Sequence, residues 1–258
     1  MIEVHNLTFG YSATEDGQIL KGVDFAAKTG KLTALIGTNG AGKSTLLKTI
    51  MGILKGKGEI SVNGKPVSQY STKDFSSTVS YLSQDNDCKV NLSVFEVVML
   101  GRMGSMSFRV SDEDIAATQE VLERLNLQRF ASRSIMELSG GQRQLVFMAQ
   151  ALVKEPKILI LDEPTSALDL HKQFDLLTLL KNLTQENDFT TLVTLHHLDL
   201  AAMFADEIIV LKEGRVYAQG APKDIFTEAM MEDVYRVKTK IYIDDNGLPH
   251  VIPLEAIP

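Results

Sequence analysis

The chain has 258 residues, 44% of them hydrophobic, a formal net charge of −7 and a single cysteine. A chain of this length can bury a core large enough to fold without disulfides, and its acidic balance argues against wholesale nucleic-acid binding. Cys88 cannot form an internal disulfide, which is typical of a reducing compartment. The first residues show no secretory leader, and no apolar run reaches the ~20 residues that cross a bilayer. Any role at a membrane is therefore expected to require partner chains.

The N-terminal part of the chain predicts strands and tight turns. Apolar residues favour strands over residues 2–11 and 19–26, and Asn63-Gly64 predicts the turn of a later hairpin. Tyr11 ends the first strand, where its ring either packs against the fold or stacks on a nucleotide base. The spacing alone favours packing.

Residues 37–45 have the spacing G-x-x-x-x-G-K-[ST], between a buried-looking strand at 32–36 and an apolar helical pattern. Glycines tolerate positive φ, so the loop can turn its N–H groups toward a polyphosphate, and the next helix presents its positive end to the same anion. Lys43 can reach the β- and γ-phosphates, and the Ser44 hydroxyl can ligate Mg²⁺. We therefore predict an ATP or GTP site. Its residues are Gly37, Thr38, Asn39, Gly40, Ala41, Gly42, Lys43, Ser44 and Thr45.

Helical patterns replace strand patterns between residues 85 and 155. Ser93 and Ser111 are suitable N-caps, and residues 111–114 resemble a capping box in which Asp replaces the usual Glu. An apolar stripe at helical spacing follows the second cap: Ile115, Thr118, Leu122 and Leu125. We interpret this region as an inserted helical subdomain, whose methionines either fill the core or line an adaptable docking groove. The methionines considered for this role are the three at the start of the region, Met99, Met103 and Met106.

Polar residues with a chemical role are expected where predicted strands end. Gln84 follows a predicted strand at residues 79–83, and its amide oxygen could ligate Mg²⁺ or position a water, although a solvated Gln is the common outcome. Asp162 and Glu163 follow an apolar strand at residues 157–161. Parallel α/β sheets place ligands at the carboxyl ends of strands. Asp162 is therefore a candidate for holding Mg²⁺ through water, and Glu163 for accepting a proton from the attacking water.

Residues 138–142 open a predicted helix with Ser139 followed by two glycines. A helix N-terminus presents unpaired N–H groups, so this stretch is a second anion site on general grounds. An ordinary N-cap explains the same residues, and on this stretch alone it is the better explanation.

The last third of the chain returns to alternating helices and strands. The predicted elements are a helix over 170–186, strands over 190–195, 207–211 and 215–219, a terminal helix over 223–235 and a hairpin at Asn246-Gly247. His196 lies at the end of a predicted strand, where a histidine is either structural or hydrogen-bonds a γ-phosphate or the attacking water.

Taken in order, these motifs resemble those of the ATP-binding cassette family, the nucleotide-binding subunits of ABC transporters, over nearly the whole chain. The signature at 138–142 is highly specific, whereas the Walker A motif is shared with kinases and GTPases. The matching residues are Walker A at 37–45, the Q-loop at Gln84, the signature with Ser139, Gly140, Gly141 and Gln142, Walker B at 158–162 followed by Glu163, the D-loop at 166–169 ending in Asp169, the switch histidine at His196 and the A-loop aromatic at Tyr11. His197 stands where Asp commonly follows the switch histidine, and the register favours His196 over it.

The resemblance implies an α/β fold with a P-loop NTPase core. A mixed sheet with flanking helices and an antiparallel β subdomain would form the core, and an α-helical subdomain would be inserted into it. Residues 1–258 would be a single ABC ATPase domain. Residues 1–86 and 157–258 would form the nucleotide-binding core, and residues 87–156 the helical subdomain with the signature.

The resemblance also implies how the motifs work together. Two chains pair head to tail as a homodimer, and each ATP lies between the Walker A loop of one chain and Ser139 and Gly141 of the other. The residues implied to bind ATP are Tyr11, Gly37, Asn39, Gly40, Ala41, Gly42, Lys43, Ser44, Thr45, Ser139, Gly140, Gly141, Gln142 and Asp169. The residues implied to bind Mg²⁺ are Ser44, Gln84 and Asp162. The residues implied to act in catalysis are Lys43, Gln84, Glu163 and His196.

Dimer closing and opening would move two transmembrane permease subunits, served indirectly by an extracytoplasmic substrate-binding protein. No nucleic acid is expected as a partner, and the chain would lie peripherally at the cytoplasmic face of the membrane. Residues 93–103 and 220–253 further resemble the subfamily that imports iron chelates, haem or cobalamin.

Two other functions stay open on the sequence. A non-transport cassette would serve cofactor assembly, translation or DNA repair. Copurification with integral membrane proteins would support transport, whereas copurification with a soluble complex would support the non-transport cassette. A phosphotransferase acting on a small metabolite is the third possibility. The position of Glu163, suited to activating water, argues against a phosphotransferase.

Overall fold

The computed structural model describes residues 1–12, 17–84, 91–102 and 110–258. It divides into two compact units, one of Met1–Gln69 with Leu177–Pro258 and one of Tyr70–Leu176. We call them unit 1 and unit 2 and describe each by itself. The predictions for Cys88, Met103 and Met106 lie outside the described residues.

The strands and helices of the described residues follow the predicted order closely. The strands are β1 (Ile2–Gly10), β2 (Gln18–Ala27), β3 (Lys31–Ile36), β4 (Lys57–Val62), β5 (Lys65–Pro66), β6 (Val79–Leu82), β7 (Ile158–Leu161), β8 (Thr190–Thr194), β9 (Glu207–Lys212), β10 (Arg215–Gly220), β11 (Val237–Ile243) and β12 (Pro249–Ala256). The helices are α1 (Lys43–Ile50), α2 (Thr72–Thr78), α3 (Val94–Met99), α4 (Asp112–Arg124), α5 (Gly140–Leu152), α6 (Leu170–Glu186), α7 (Leu198–Phe204), α8 (Pro222–Ile225) and α9 (Glu228–Met230). Within this part of the chain, no helix is long and apolar enough to cross a membrane.

Unit 1 contains an antiparallel sheet in the strand order β2-β1-β4-β5. The predicted turn at Asn63-Gly64 is confirmed, since Val62 pairs with Lys65 across it. Asn63 and Gly64 both have positive φ, at 51° and 75°, as a two-residue hairpin turn with the right-handed strand twist requires.

Unit 1 also contains parallel strands that carry the phosphate loop. β3 pairs in parallel with β8 on one side and with β9 on the other, and β10 joins β9 antiparallel. Apart from Lys31, every residue of β3 is buried. Parallel strands buried on both faces are expected to be mostly apolar, and β3 follows this expectation except at Thr33, which is polar and buried. The predicted order of strand, loop and helix at residues 32–50 is confirmed.

The terminal helix predicted over residues 223–235 is wrong, because the chain leaves helical geometry at Phe226. Phe226 has ψ 91° and is buried, at 1% exposed. The Thr227 side chain then caps a new start by accepting the N–H of Met230. A short α9 and one π-helical turn, Met231–Tyr235, follow. The apolar spacing of residues 223–235 predicts one long helix. The buried Phe226 and the Thr227 cap instead divide this segment into shorter helical pieces.

The predicted hairpin at Asn246-Gly247 is confirmed. β11 and β12 pair antiparallel, from Val237 opposite Ala256 to Ile243 opposite Pro249. Gly247 closes the turn by donating its N–H to the Asp244 carbonyl at 2.9 Å.

Unit 2 contains the parallel pair β6 and β7, with Leu82 opposite Leu161, and the helices α2 to α5. The N-cap predictions are confirmed: Ser93, Ser111 and Ser139 each make a complete capping box. The predicted stripe of α4 is wrong at its first residue, because Ile115 is 37% exposed. The buried stripe begins one turn later, and its members are Thr118, Val121, Leu122 and Leu125.

Candidate functional site

The predicted phosphate loop of unit 1 has a backbone that depends on glycine. Gly37, Gly40 and Gly42 have φ values of 147°, 78° and 103°. A Cβ on Gly37 would lie 2.2 Å from the backbone oxygen of Leu211 in β9, a distance that no side chain tolerates. Gly42 is the N-cap of α1, so the loop runs directly into the positive end of that helix.

Lys43 is a buried cation, only 6% exposed, that is bound to the loop itself. Its Nζ donates to the carbonyl oxygens of Gly37 at 2.8 Å and Thr38 at 3.1 Å. Neutral carbonyls can be exchanged for phosphate oxygens, which interact more strongly with an ammonium group. Asn39 and Gly40 are exposed at the tip of the loop, Ala41 is buried, and Ser44 and Thr45 are half-buried at the start of α1.

Other predicted site residues of unit 1 lie on its surface. His196 and His197 are both exposed beyond the end of β8, and His197 occupies the N-cap position of α7 without a side-chain capping bond. The Tyr11 ring is 72% exposed and meets Phe9 edge-on, with ring centroids 5.0 Å apart. The ring of Tyr11 is therefore not part of a core and has a face available for stacking.

Unit 2 brings two predicted site residues into direct contact. Gln84, just after β6, donates from Nε2 to the Glu163 Oε2 at 2.7 Å. Glu163 has φ 51°, a left-handed conformation that is uncommon for a residue other than glycine and is often found at functional sites. Asp162 precedes it at the end of β7 and is only 1% exposed, and its N–H donates to the Leu82 carbonyl at 2.9 Å.

The signature residues form the N-terminus of α5. The Ser139 side chain accepts the N–H of Gln142 at 3.4 Å, and the Gln142 side chain accepts the N–H of Ser139 at 2.9 Å. A Cβ on Gly141 would lie 2.9 Å from the Ala167 oxygen, whereas one on Gly140 would meet nothing within 4 Å. Gly141 is therefore needed for the close approach of α5 to the loop at residues 166–169.

Asp169 ends that loop and caps α6. Its carboxylate accepts the backbone N–H of Lys172 at 3.0 Å and pairs with the Lys172 ammonium at 2.9 Å. The backbone hydrogen bond, followed by the side-chain one, lowers the pKa of Asp169. The negative charge is therefore retained at the positive end of the helix.

The sequence analysis does not identify Gln173, whose side chain hydrogen-bonds to the backbone at this loop. It is buried, at 7% exposed, and its Nε2 donates to the carbonyls of Thr165 at 3.1 Å and Leu168 at 3.0 Å. Its only sequence feature is its position four residues after the helix N-cap. That position does not predict burial, because glutamine in helices is usually exposed to solvent.

Comparisons with known proteins agree with this geometry. A family model described as ABC transporter matches residues 20–166. The iron(3+)-hydroxamate import ATP-binding protein FhuC of Bacillus subtilis (strain 168) is 37% identical over 94% of this chain and 90% of its own. The ferric enterobactin transport ATP-binding protein FepC of Escherichia coli (strain K12) is 36% identical, over 96% and 92%.

A solved structure gives the same result for the fold. The dimeric post-hydrolysis state of the ATP-binding cassette MJ0796, bound to ADP and Pi, has a TM-score of 0.77 and 29% identity, covering 86% of this chain and 98% of that one. The matched motifs, the near-complete coverage and the fold point the same way. The chain belongs to the ABC transporter family, as one of its ATP-binding proteins, and is an ATPase of that family.

Proposed function

We propose that the chain powers the import of an iron–siderophore complex or a related chelate, working as a homodimer beneath two membrane permease subunits. The names of the relatives FhuC and FepC, both ATP-binding proteins for ferric siderophores, support this cargo class. An extracytoplasmic binding protein would deliver the cargo, and the chain would lie at the cytoplasmic face of the membrane. We further propose the division predicted above, with residues 87–156 as the helical subdomain.

The observation that carries the proposal is the Lys43 ammonium held inside the glycine loop. Its contacts with the carbonyl oxygens of Gly37 and Thr38 can be exchanged for contacts with charged phosphate oxygens, so a triphosphate entering the loop gains a strong charge-assisted contact. The loop amides and the N-terminus of α1 would stabilise the charge on the transferred phosphoryl group, which is the main catalytic term of this chemistry.

The residues present fit a magnesium ion that arrives with ATP. The described part of the chain has no group of three His, Cys, Asp or Glu side chains that would hold a metal by itself. The Ser44 hydroxyl, the buried Asp162 carboxylate and the Gln84 amide are oxygen donors of the type that Mg²⁺ accepts when a phosphate and waters complete its shell. Bound there, the ion would neutralise charge on the β- and γ-phosphates.

Glu163 is proposed as the general base. Its carboxylate accepts a hydrogen bond from Gln84, so it can also accept one from an O–H of the attacking water and then take the proton. Exposed at the end of β8, the imidazole of His196 is proposed to hydrogen-bond the γ-phosphate. The exposed Tyr11 ring is proposed to stack on the adenine.

Ser139 and its neighbours are proposed to close the site from the second chain. Ser139 and Gly140 are exposed at a helix N-terminus, which suits an anion supplied by another molecule. Gly141, Gln142 and Asp169 would complete this surface. ATP then acts as the contact that holds two chains together, and hydrolysis releases it.

Copurification tests the transport function. The tagged chain is purified from detergent-solubilised membranes of its own host in the presence of MgATP, and bound proteins are identified by mass spectrometry. Recovery of two copies of an integral membrane permease per dimer supports the importer. Recovery of a soluble complex alone would favour a non-transport cassette. Transfer of the γ-phosphate to a metabolite, detected with labelled ATP, would favour a phosphotransferase.

A further inference from the structure

The turn between β9 and β10 makes a direct hydrogen bond to the phosphate loop. The backbone N–H of Gly214 donates to the carbonyl of Ala41 at 3.1 Å, and the Gly214 carbonyl accepts the N–H of Lys21 in β2 at 2.8 Å. Both backbone polar groups of this one glycine are therefore engaged, one by the loop and the other by a neighbouring strand. Gly214 lies beyond residues 20–166, to which the family model extends.

Close packing against β2 fixes the position of this turn. Glu213 and Gly214 have φ values of 48° and 80°, as a two-residue hairpin turn requires. Gly214 is buried, and a Cβ on it would lie 2.0 Å from the backbone oxygen of Ile19, so glycine alone fits there. A Cβ on Gly42 of the phosphate loop would lie 3.3 Å from the Ile19 side chain. The turn and the loop therefore rest on the same residue of β2.

The hydrogen bond to Ala41 determines the direction of the next amide in the loop. The peptide that joins Ala41 to Gly42 is trans, and in a planar trans peptide the C=O and the N–H point in opposite directions. Because the Ala41 carbonyl is directed at the turn, the Gly42 N–H points away from it. Gly42 is also the N-cap of α1, so this N–H lies at the positive end of that helix.

We propose that Gly214 is a positioning residue of the nucleotide site, which holds the peptide between Ala41 and Gly42 in the orientation that offers the Gly42 N–H to a phosphate oxygen. The proposal rests on the proposed role of residues 37–45 as the ATP site. It extends that site to the β9–β10 turn. Without the bond from Gly214 this peptide loses an anchor, and the cost of ordering it falls on ATP binding.

Gly214→Ala and Gly64→Ala form a matched pair of variants. Gly64 has φ 75° and follows Asn63 at φ 51°, so the two turns share one backbone conformation. A Cβ on Gly64 meets nothing within 4 Å, so that variant introduces a side chain at positive φ and displaces nothing. The Cβ of Gly214→Ala has to shift the turn relative to Ile19, and the N–H that bonds Ala41 shifts with it.

Equilibrium titration and steady-state kinetics of the full chain measure the effect on ATP. We expect the Kd and the KM for ATP of Gly214→Ala to rise about fivefold, the equivalent of one neutral hydrogen bond, with kcat within about threefold of wild type. Both variants should lose thermal stability, because alanine is strained at positive φ. Gly64→Ala should nevertheless keep the wild-type Kd and KM, which separates positioning of the loop from loss of stability.

Hydrogen exchange at Gly214 gives a second measurement, made on the wild-type chain by NMR. Glu213-Gly214 is the only Glu-Gly pair in the sequence, so glutamate labelled with ¹³C at its carbonyl and glycine labelled with ¹⁵N identify the Gly214 amide. Since coupling between two equilibria is reciprocal, Mg²⁺ with a non-hydrolysable ATP analogue should slow its exchange about fivefold. If Gly214→Ala does not fold, this measurement decides.

Gly30 provides the control amide for the exchange measurement. It has φ 69°, and its N–H donates to the Phe189 carbonyl at 2.8 Å. Thr29-Gly30 is the only Thr-Gly pair in the sequence, so labelled threonine identifies it in the same way. Its exchange rate should not change with the analogue, whereas general stabilisation of the fold would slow both amides.

The outcomes separate the two proposals. The positioning role would be overturned by an unchanged Kd in folded Gly214→Ala or by an equal rise in Gly64→Ala. It would also be overturned if the analogue bound and slowed exchange at Gly214 no more than at Gly30. Failure of the wild-type chain to bind ATP would instead refute the proposed nucleotide site.

Discussion

The Gln84 amide and the Glu163 carboxylate are joined by a 2.7 Å hydrogen bond. The bond links the ends of the neighbouring strands β6 and β7, which pair in parallel through Leu82 and Leu161. Its effect is to hold the carboxylate of the proposed base beside the end of β6. The bond uses the amide nitrogen of Gln84, whereas its amide oxygen is the atom proposed to ligate Mg²⁺. One side chain would then connect the proposed base with the proposed metal ligands.

Glu163→Gln should abolish turnover while preserving the fold. The Gln side chain still accepts the hydrogen bond from Gln84 through its amide oxygen, but it cannot take a proton from water. General-base catalysis contributes about 10²–10⁴-fold, so we expect kcat to fall at least about 100-fold. The Kd for ATP, measured by equilibrium titration, should stay within about threefold of wild type.

Glu155→Gln is the matched control for this variant. Glu155 precedes the same strand, is exposed, and has the same left-handed backbone, with φ 51° at both residues. It should retain wild-type kcat. Hydrolysis at the wild-type rate by Glu163→Gln would remove Glu163 from the mechanism.

Alanine at the two signature glycines should change stability in opposite directions. The Cβ of Gly140→Ala would meet nothing within 4 Å, so its smaller loss of chain entropy should stabilise the protein by about 0.4–1 kcal/mol. The Cβ of Gly141→Ala would lie 2.9 Å from the Ala167 oxygen, so the loop at residues 166–169 has to move. Thermal unfolding should show a raised midpoint for the first variant and a lowered one for the second. Equal midpoints would show that α5 and this loop are not closely packed.

Local signals in the sequence predicted the backbone elements well. Ser111 with Asp114, and Ser139 with Gln142, start their helices as predicted, because a capping box depends only on residues three apart. The single long helix predicted over 223–235 is wrong because the spacing of its apolar residues does not show that the chain leaves helical geometry at Phe226, whose side chain is buried.

The candidate site could be predicted as a set of residues but not as a set of contacts. The motif predicts that Lys43 contacts phosphate, but not that its ammonium donates to the carbonyls of Gly37 and Thr38, because that contact depends on the path of the loop, where Gly37 has positive φ. Gln173 follows no motif, since it acts by donating hydrogen bonds to the backbone carbonyls of Thr165 and Leu168.

Ser139→Arg should prevent ATP-dependent dimerisation without weakening ATP binding to the single chain. Ser139 is exposed at the N-terminus of α5, so an arginine there costs about 0.5–2 kcal/mol of stability through the lost cap, has room at the surface, and fills the space proposed for the γ-phosphate of a second chain. Combined with Glu163→Gln, it should remain monomeric in light scattering at saturating MgATP, whereas Glu163→Gln alone should dimerise. Gln119→Arg, which adds the same charge at an exposed position of α4, serves as the control and should dimerise normally. Dimerisation of the Ser139→Arg double variant would refute the proposed clamp.

Asp114 should make the stability of the chain sensitive to acid. Hydrogen bonds from the Arg102 guanidinium, at 2.6 Å, and then from Ser111 lower the pKa of Asp114 from its ordinary 3.8 to about 2. Because the folded-state pKa is depressed, the contribution is fully present above the unfolded-state value of about 4 and is lost as the pH falls through about 2. Urea unfolding of wild type and Asp114→Asn should therefore differ most at pH 5, with the difference shrinking by pH 3, since a protonated Asp resembles Asn. Arg102→Met should show the same narrowing against wild type, because it removes the main cause of the shift. A difference that stays constant between pH 5 and pH 3 would show that this carboxylate is not stabilised by its contacts in the folded state.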